Sequence, residues 1–162
     1  MYRNRYRIHP GSQTIFFPLD TGFYREHHPF YCKPRFSTNC DQVLYSGQTV
    51  TYVNMQLAYY MGFEKVYLIG MDFSYQVPKS TVVAGVNFTS QEDDPNHFHP
   101  EYFGKGKKWH DPKLDRVALC YQAAKKFYEE NGRKIYNATV GGKLEIFERC
   151  EFEGLFAIKD SG

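Results

Sequence analysis

Residues 46–75 read SGQTVTYVNMQLAYYMGFEKVYLIGMDFSY, and this stretch decides the fold. Ser46-Gly47-Gln48-Thr49 is a turn and helix-start signal, because short polar side chains there accept the first free backbone N–H groups. Val50, Val53, Leu57 and Met61 then recur at helical spacing, which predicts an amphipathic helix of about four turns over 49–62. Gly62 is placed to end it in the left-handed conformation. Lys65–Gly70 is a short apolar run, expected to be a buried strand of a parallel sheet. Met71-Asp72-Phe73-Ser74-Tyr75 leaves the carboxyl end of that strand. A helix, a glycine, a strand and an acidic strand tip make an α/β unit.

Downstream, Lys113–Asn131 is a second predicted helix, with Leu114, Val117, Tyr121, Ala124 and Tyr128 on one face and Asn131-Gly132 ending it. Cys120 in that helix is expected to be a buried free thiol. Arg133–Tyr136 starts another strand, Asn137–Gly142 is the loop at its carboxyl end, and Leu144–Phe147 is a last apolar stretch. Between the two units, 76–112 shows no clear periodicity and carries Pro78, Pro95, Pro100 and Pro112, so it is expected to be an active-site loop or lid. Upstream, 1–41 is an irregular, basic, aromatic segment in which Arg3, Arg5, Arg7, Arg25, Lys33 and Arg35 face only Asp20 and Glu26. Thr14–Phe17 and Gln42–Tyr45 read as its short strands. The expected architecture is one α/β domain over 1–162, Rossmann-like, with a mostly parallel sheet, flanking helices and a long loop insertion.

Composition narrows the function. The 162 residues suffice for one core. Twenty Lys and Arg against eighteen Asp and Glu leave a net charge of +2, which speaks against a nucleic-acid binder driven by bulk charge. Apolar residues at 42% and charged residues at 23% place the chain among ordered globular domains. No apolar run approaches the ~20 residues of a membrane span, and the basic start has no apolar segment behind it to make a signal peptide. Cys32, Cys40, Cys120 and Cys150 form no CxxC pair and match no common zinc module, so a reduced cytoplasmic protein is expected.

In an open α/β sheet, ligands bind outside the carboxyl ends of the strands. Two such ends are named here, Asp72–Tyr75 and Asn137–Gly142. The helix start at Ser46, Gly47 and Thr49 offers free N–H groups and hydroxyls that suit a phosphate or carboxylate, and equally an ordinary helix cap. Asp72 is a candidate for a sugar hydroxyl or a metal, or for capping its own turn. Ser74 and Tyr75 offer hydroxyls to phosphate. Asn96, His97, His99 and Tyr102 are the densest group of chemically able side chains, with the histidines suited to act as base near neutral pH. His97 and His99 alternate as two metal ligands would, yet no third ligand is assigned, so no metal site is read. Lys105, in a glycine- and lysine-rich run, would carry positive charge toward phosphates. A solvated loop is the plain alternative for both.

Together, "LAYYMGFEKVYLIGMDFSY", "PNHFHPEYFGKGKKW" and "IYNATVGGKLEIFERCEFE" resemble a bacterial and archaeal family of sugar- and pterin-related transferases. It includes the motility-accessory-factor glycosyltransferases and the 6-hydroxymethylpterin diphosphokinase-like enzymes. The first block is more distantly similar to the core of bacterial CMP-sialic-acid-dependent sialyltransferases. The resemblance spans about 42–153. The sialyltransferase likeness implies metal-independent transfer of a nonulosonic acid from a CMP-activated donor to a glycan or protein acceptor. It places Ser74, with Tyr75 beside it, and a tyrosine of the following loop, Tyr102, at the donor phosphate, the helix start near Ser46–Val50 at the nucleotide, and His97 or His99 as base; Asp72, Asn96, Asn137 and Thr139 are the candidates for substrate contact. The diphosphokinase likeness implies Mg2+ and diphosphate transfer from ATP to a hydroxymethyl group. A non-catalytic glycan- or nucleotide-binding module is the third reading. Members of both groups normally begin with a nucleotide-binding Gly-rich loop that is not found in this sequence, so the expectation is a trimmed domain, a family member that lost that half, or a protein that acts with a second copy or partner chain supplying it. A cytoplasmic protein, peripheral at the inner membrane, follows from the sugar-transfer reading.

Overall fold

The structure is a computed structural model and describes residues 15–75, 77–85, 87–93 and 104–156. In chain order it contains β1 (Leu19–Asp20), β2 (Leu44–Tyr45), α1 (Val50–Tyr60), β3 (Lys65–Leu68), β4 (Val82–Ala84), β5 (Asn87–Thr89), β6 (Lys108–His110), α2 (Leu114–Glu130), β7 (Lys134–Asn137) and β8 (Glu148–Arg149). β1 pairs with β2 in parallel, β3, β7 and β8 form a parallel sheet in that order, and β4, β5 and β6 form an antiparallel one. This is the mixed, Rossmann-like α/β class expected from the quoted stretch.

α1 begins where the sequence places it. Thr49 caps it, its Oγ1 accepting the Tyr52 N–H at 3.4 Å, and Gly62 leaves it with φ +90°. The buried face differs from the expected one. Val50 is 71% exposed and Met61 64%, whereas Tyr52, Met55 and Gln56 are buried. The aliphatic stripe is displaced because the aromatic stripe buries more area and keeps its polar ends bonded. The Tyr52 hydroxyl donates to Arg35 O at 2.9 Å. Gln56 is satisfied on both sides of its amide: Oε1 accepts the N–H groups of Ser37 and Tyr45, both at 3.1 Å, and Nε2 donates to Tyr45 O at 2.8 Å and Tyr52 O at 3.1 Å. One amide thus fastens α1 to β2 and to the segment before it.

α2 buries Val117, Cys120, Tyr121, Ala124 and Tyr128, as its spacing predicts. The Tyr128 hydroxyl donates to Met55 O at 2.7 Å, joining the two helices. Phe36 fills the angle between them, stacked on Phe127 at 4.4 Å and edge-on to Tyr52, Tyr59 and Tyr128. The core is completed by Leu68 and Ile135 from the sheet and Leu144 and Phe147 beyond it. All four cysteines are free, and Cys40 is buried with Cys120.

β3 is parallel to β7, as expected, yet it is an edge strand rather than a fully buried one. Leu68 faces the core, while Tyr67 and Ile69 are exposed, and Tyr67 stacks on Tyr136 at 5.2 Å. Two further expectations are corrected. Residues 15–17 form no strand, the first among the described residues being Leu19–Asp20, and only Leu44–Tyr45 of 42–45 is a strand. The segment read without periodicity holds β4, β5 and β6, where Phe88 packs edge-on to Trp109 at 4.5 Å and Trp109 Nε1 donates to Ser90 Oγ at 2.9 Å. Strands of three residues are too short to show an alternating pattern.

Candidate functional site at the strand ends

β3 leaves the sheet through Gly70 and Met71 to Asp72, and the turn after β7 comes to meet it. Met71 N–H donates to Thr139 Oγ1 at 2.9 Å, and Lys143 N–H donates to Asp72 O at 2.6 Å. Gly142 lies directly on the Asp72 backbone. The turn itself is held from inside. Asn137 is buried, its Nδ2 donating to Leu144 O at 2.8 Å and its Oδ1 accepting the Thr139 N–H at 3.0 Å. Arg149 holds it from outside, donating to Thr139 O at 3.2 Å, Gly141 O at 2.8 Å and Gly142 O at 3.3 Å while pairing with Glu145 at 2.7 Å. The two named strand ends therefore converge on one edge, as expected.

Asp72 presents an exposed carboxylate there, and no described residue hydrogen-bonds or pairs with it. Phe73 follows with φ +50°, a left-handed conformation that costs a bulky side chain energy and that turns the chain sharply after the carboxylate. Asn137 and Thr139, predicted to face substrate, spend their side chains on the turn. Ser74 is exposed, and Tyr75 is half-buried against Trp109 at 5.1 Å.

The helix start is closed by phenols. Ser46 donates its N–H to Asp20 O at 2.9 Å and is 4% exposed, with a hydroxyl that finds no partner among the described residues. Gly47 is buried because a Cβ there would stand 2.5 Å from the Tyr52 ring and 3.0 Å from Cys120 Sγ. The Tyr24 hydroxyl donates to Gly47 O, and Thr49 Oγ1 lies 3.3 Å from the Tyr121 hydroxyl. Burial raises the Tyr52, Tyr121 and Tyr128 phenols above their ordinary range and pushes the Cys120 thiol up to about 11. These groups are neutral at physiological pH, and the cap is served by the chain itself.

Lys105 is exposed in the turn before β6. Asn96, His97, His99 and Tyr102 lie outside the described residues. Among the described residues no group of three or more His, Cys, Asp or Glu side chains is arranged to hold a metal ion. Glu92 accepts the Ser80 hydroxyl at 2.6 Å, and Asp72 is the carboxylate at the joined strand ends. These residues do not form a Mg2+ cage, and no step is assigned to the ion. Arg149 and Gly142 were not singled out by sequence reasoning, although a double glycine ahead of an i, i+4 Glu–Arg pair is a signal for a braced turn.

The fold and the joined strand ends define an α/β domain of the kind that takes its ligand beyond the carboxyl ends of parallel strands. Residues 12–78 match the family of 6-hydroxymethylpterin diphosphokinase MptE-like proteins. No curated protein and no solved structure matches the chain. The matched stretch takes in β1, β2, α1 and β3 and ends just past the Asp72 tip. It includes the front segment 12–41, which the three quoted blocks leave out. The expected similarity to sialyltransferases is not shown.

Proposed function

We propose that the chain is a transferase of the hydroxymethylpterin-diphosphokinase type, the reading kept as the alternative in the sequence analysis. In that chemistry the hydroxymethyl oxygen attacks the β-phosphorus of ATP, the bond from that phosphorus to the α-phosphate oxygen breaks, and AMP leaves. Asp72 accepts a hydrogen bond from the acceptor substrate, Ser74, Tyr75, Tyr102 and Lys105 face the phosphates, and His97 or His99 takes the hydroxyl proton. Nucleotide use of this kind fits a cytoplasmic protein. Among the described residues no helix is long and apolar enough to cross a membrane.

The observation that supports this reading is the family match running through β3 to the exposed Asp72 carboxylate. CMP-sugar transfer has no comparable support. Titration with ATP and with CMP, each with and without Mg2+, tests it. ATP binding that requires Mg2+ and weakens in Asp72→Asn is expected. Binding of CMP without metal, with ATP ignored, would return the CMP-sugar reading, and binding of neither would leave a non-catalytic module.

A further inference from the structure

The turn after β1 carries a second cluster that the strand-end site does not use. Asp20 ends β1 with its charge already met: Oδ1 accepts the Gly22 N–H at 2.7 Å and Oδ2 pairs with Arg35 at 2.7 Å. Arg35 is itself held over the Phe30 and Tyr45 rings, 4.1 Å from each centroid. The chain then winds through consecutive turns, Arg25 N–H donating to Gly22 O at 3.2 Å, His28 N–H to Arg25 O at 2.9 Å and Tyr31 N–H to His28 O at 2.9 Å. Arg25 and His28 are thus set three residues apart on a hydrogen-bonded coil.

The His28 ring is fixed in place. It rests on Gly22, where a Cβ would stand 2.5 Å from its Cε1 and Nδ1. Its Nδ1 accepts the Phe30 N–H at 3.2 Å, so the neutral ring carries its proton on Nε2 and remains a donor in either protonation state. The Arg25 guanidinium is exposed, and no described residue pairs with it. Two hollows, of about 540 and 320 Å3, adjoin here, and Arg25 and His28 line both. His27 lines the larger one, and Glu26 is the opposing charge. A held imidazole and a guanidinium that no described residue pairs with line the same two hollows, and with the nearest strand-end carboxylate neutralised this pair selects an anion. The planar fork of arginine suits phosphate oxygens.

We propose that the Arg25–His28 turn at the carboxyl end of β1 is a phosphate-binding site whose lining residues do not include Asp72. Its ligand is a phosphate group, free or at the end of a small phosphomonoester. It does not depend on the diphosphokinase reading.

The test is a titration of the full chain with inorganic phosphate, followed by the His28 Cε1–H resonance. Saturable movement of that resonance is expected. The dissociation constant should rise about tenfold in Arg25→Gln, read by the same resonance, and in His28→Gln, read by isothermal titration calorimetry, since each removes one charge-assisted or oriented donor. Glu26→Gln should tighten binding, and Asp72→Asn should leave it unchanged. Arg25 is exposed, so its replacement leaves the core intact even if the His28 variant fails to fold. A resonance that does not move, or an affinity unaltered in Arg25→Gln, overturns the site.

Discussion

Gly142 lies so close to Asp72 that a Cβ at 142 would stand 2.8 Å from the Asp72 Cα and carbonyl oxygen. The same glycine has φ +71°. Gly142→Ala therefore meets both a backbone clash and a left-handed strain. The expected loss is about 2 kcal/mol in urea unfolding. Faster amide exchange at Lys143 and Met71 should accompany it, showing that the two strand ends have parted. A variant with unchanged stability and exchange would remove the contact from the account.

The buried face of α1 is testable by a pair of truncations. Met55→Ala should cost about 2–4 kcal/mol, because its side chain is enclosed between the helices. Val50→Ala should stay within about 0.5 kcal/mol. Equal losses in a urea titration would contradict the burial of Tyr52 and Met55 over the aliphatic stripe.

Gln56 makes four hydrogen bonds from a fully enclosed amide. Gln56→Leu removes the side-chain partner of the Ser37 and Tyr45 N–H groups and of Tyr45 O, and the extra bond to Tyr52 O, which stays within the helix ladder. A loss of about 3 kcal/mol is expected by denaturant unfolding, larger than the deletion of an exposed bond. A near-neutral result would mean that water replaces the amide.

Alkaline pH should weaken the fold. The Cys120 thiol is raised from 9.0 to about 11 by burial, and burial raises the Tyr52, Tyr121 and Tyr128 phenols as well. The unfolded chain releases these protons first, so stability is full below about pH 9 and falls as pH rises through 11. The urea midpoint, followed from pH 8 upward, checks the direction. A flat midpoint across that window would contradict the burial of these groups.

Much of the fold was legible in the sequence because aliphatic residues carry it. Val117, Ala124 and the positions between them mark α2, and the glycine after α1 sits where the chain turns. The α1 face was misread because a tyrosine counts as weakly apolar until its hydroxyl finds a carbonyl, as Tyr52 does at Arg35. β1, β4, β5 and β6 have two or three residues each, too few to repeat an alternation. At the strand ends, the meeting of Asp72 with 137–142 followed from the topology of parallel sheets. The bracing by Arg149 did not, since it runs to backbone carbonyls that no side-chain pattern records.

The bond from Met71 to Thr139 joins positions 68 apart in the chain. Closing so long an interval carries an entropy cost that local contacts do not share. α2 and the β4–β5 hairpin between those positions are short-range structures, whereas the joined edge exists only with β7 beside β3. The edge at Asp72 therefore rests on a contact between distant parts of the chain. A cut between those positions, outside α2 and the strands, would leave each local element whole and turn the closure of this edge into an association of two pieces.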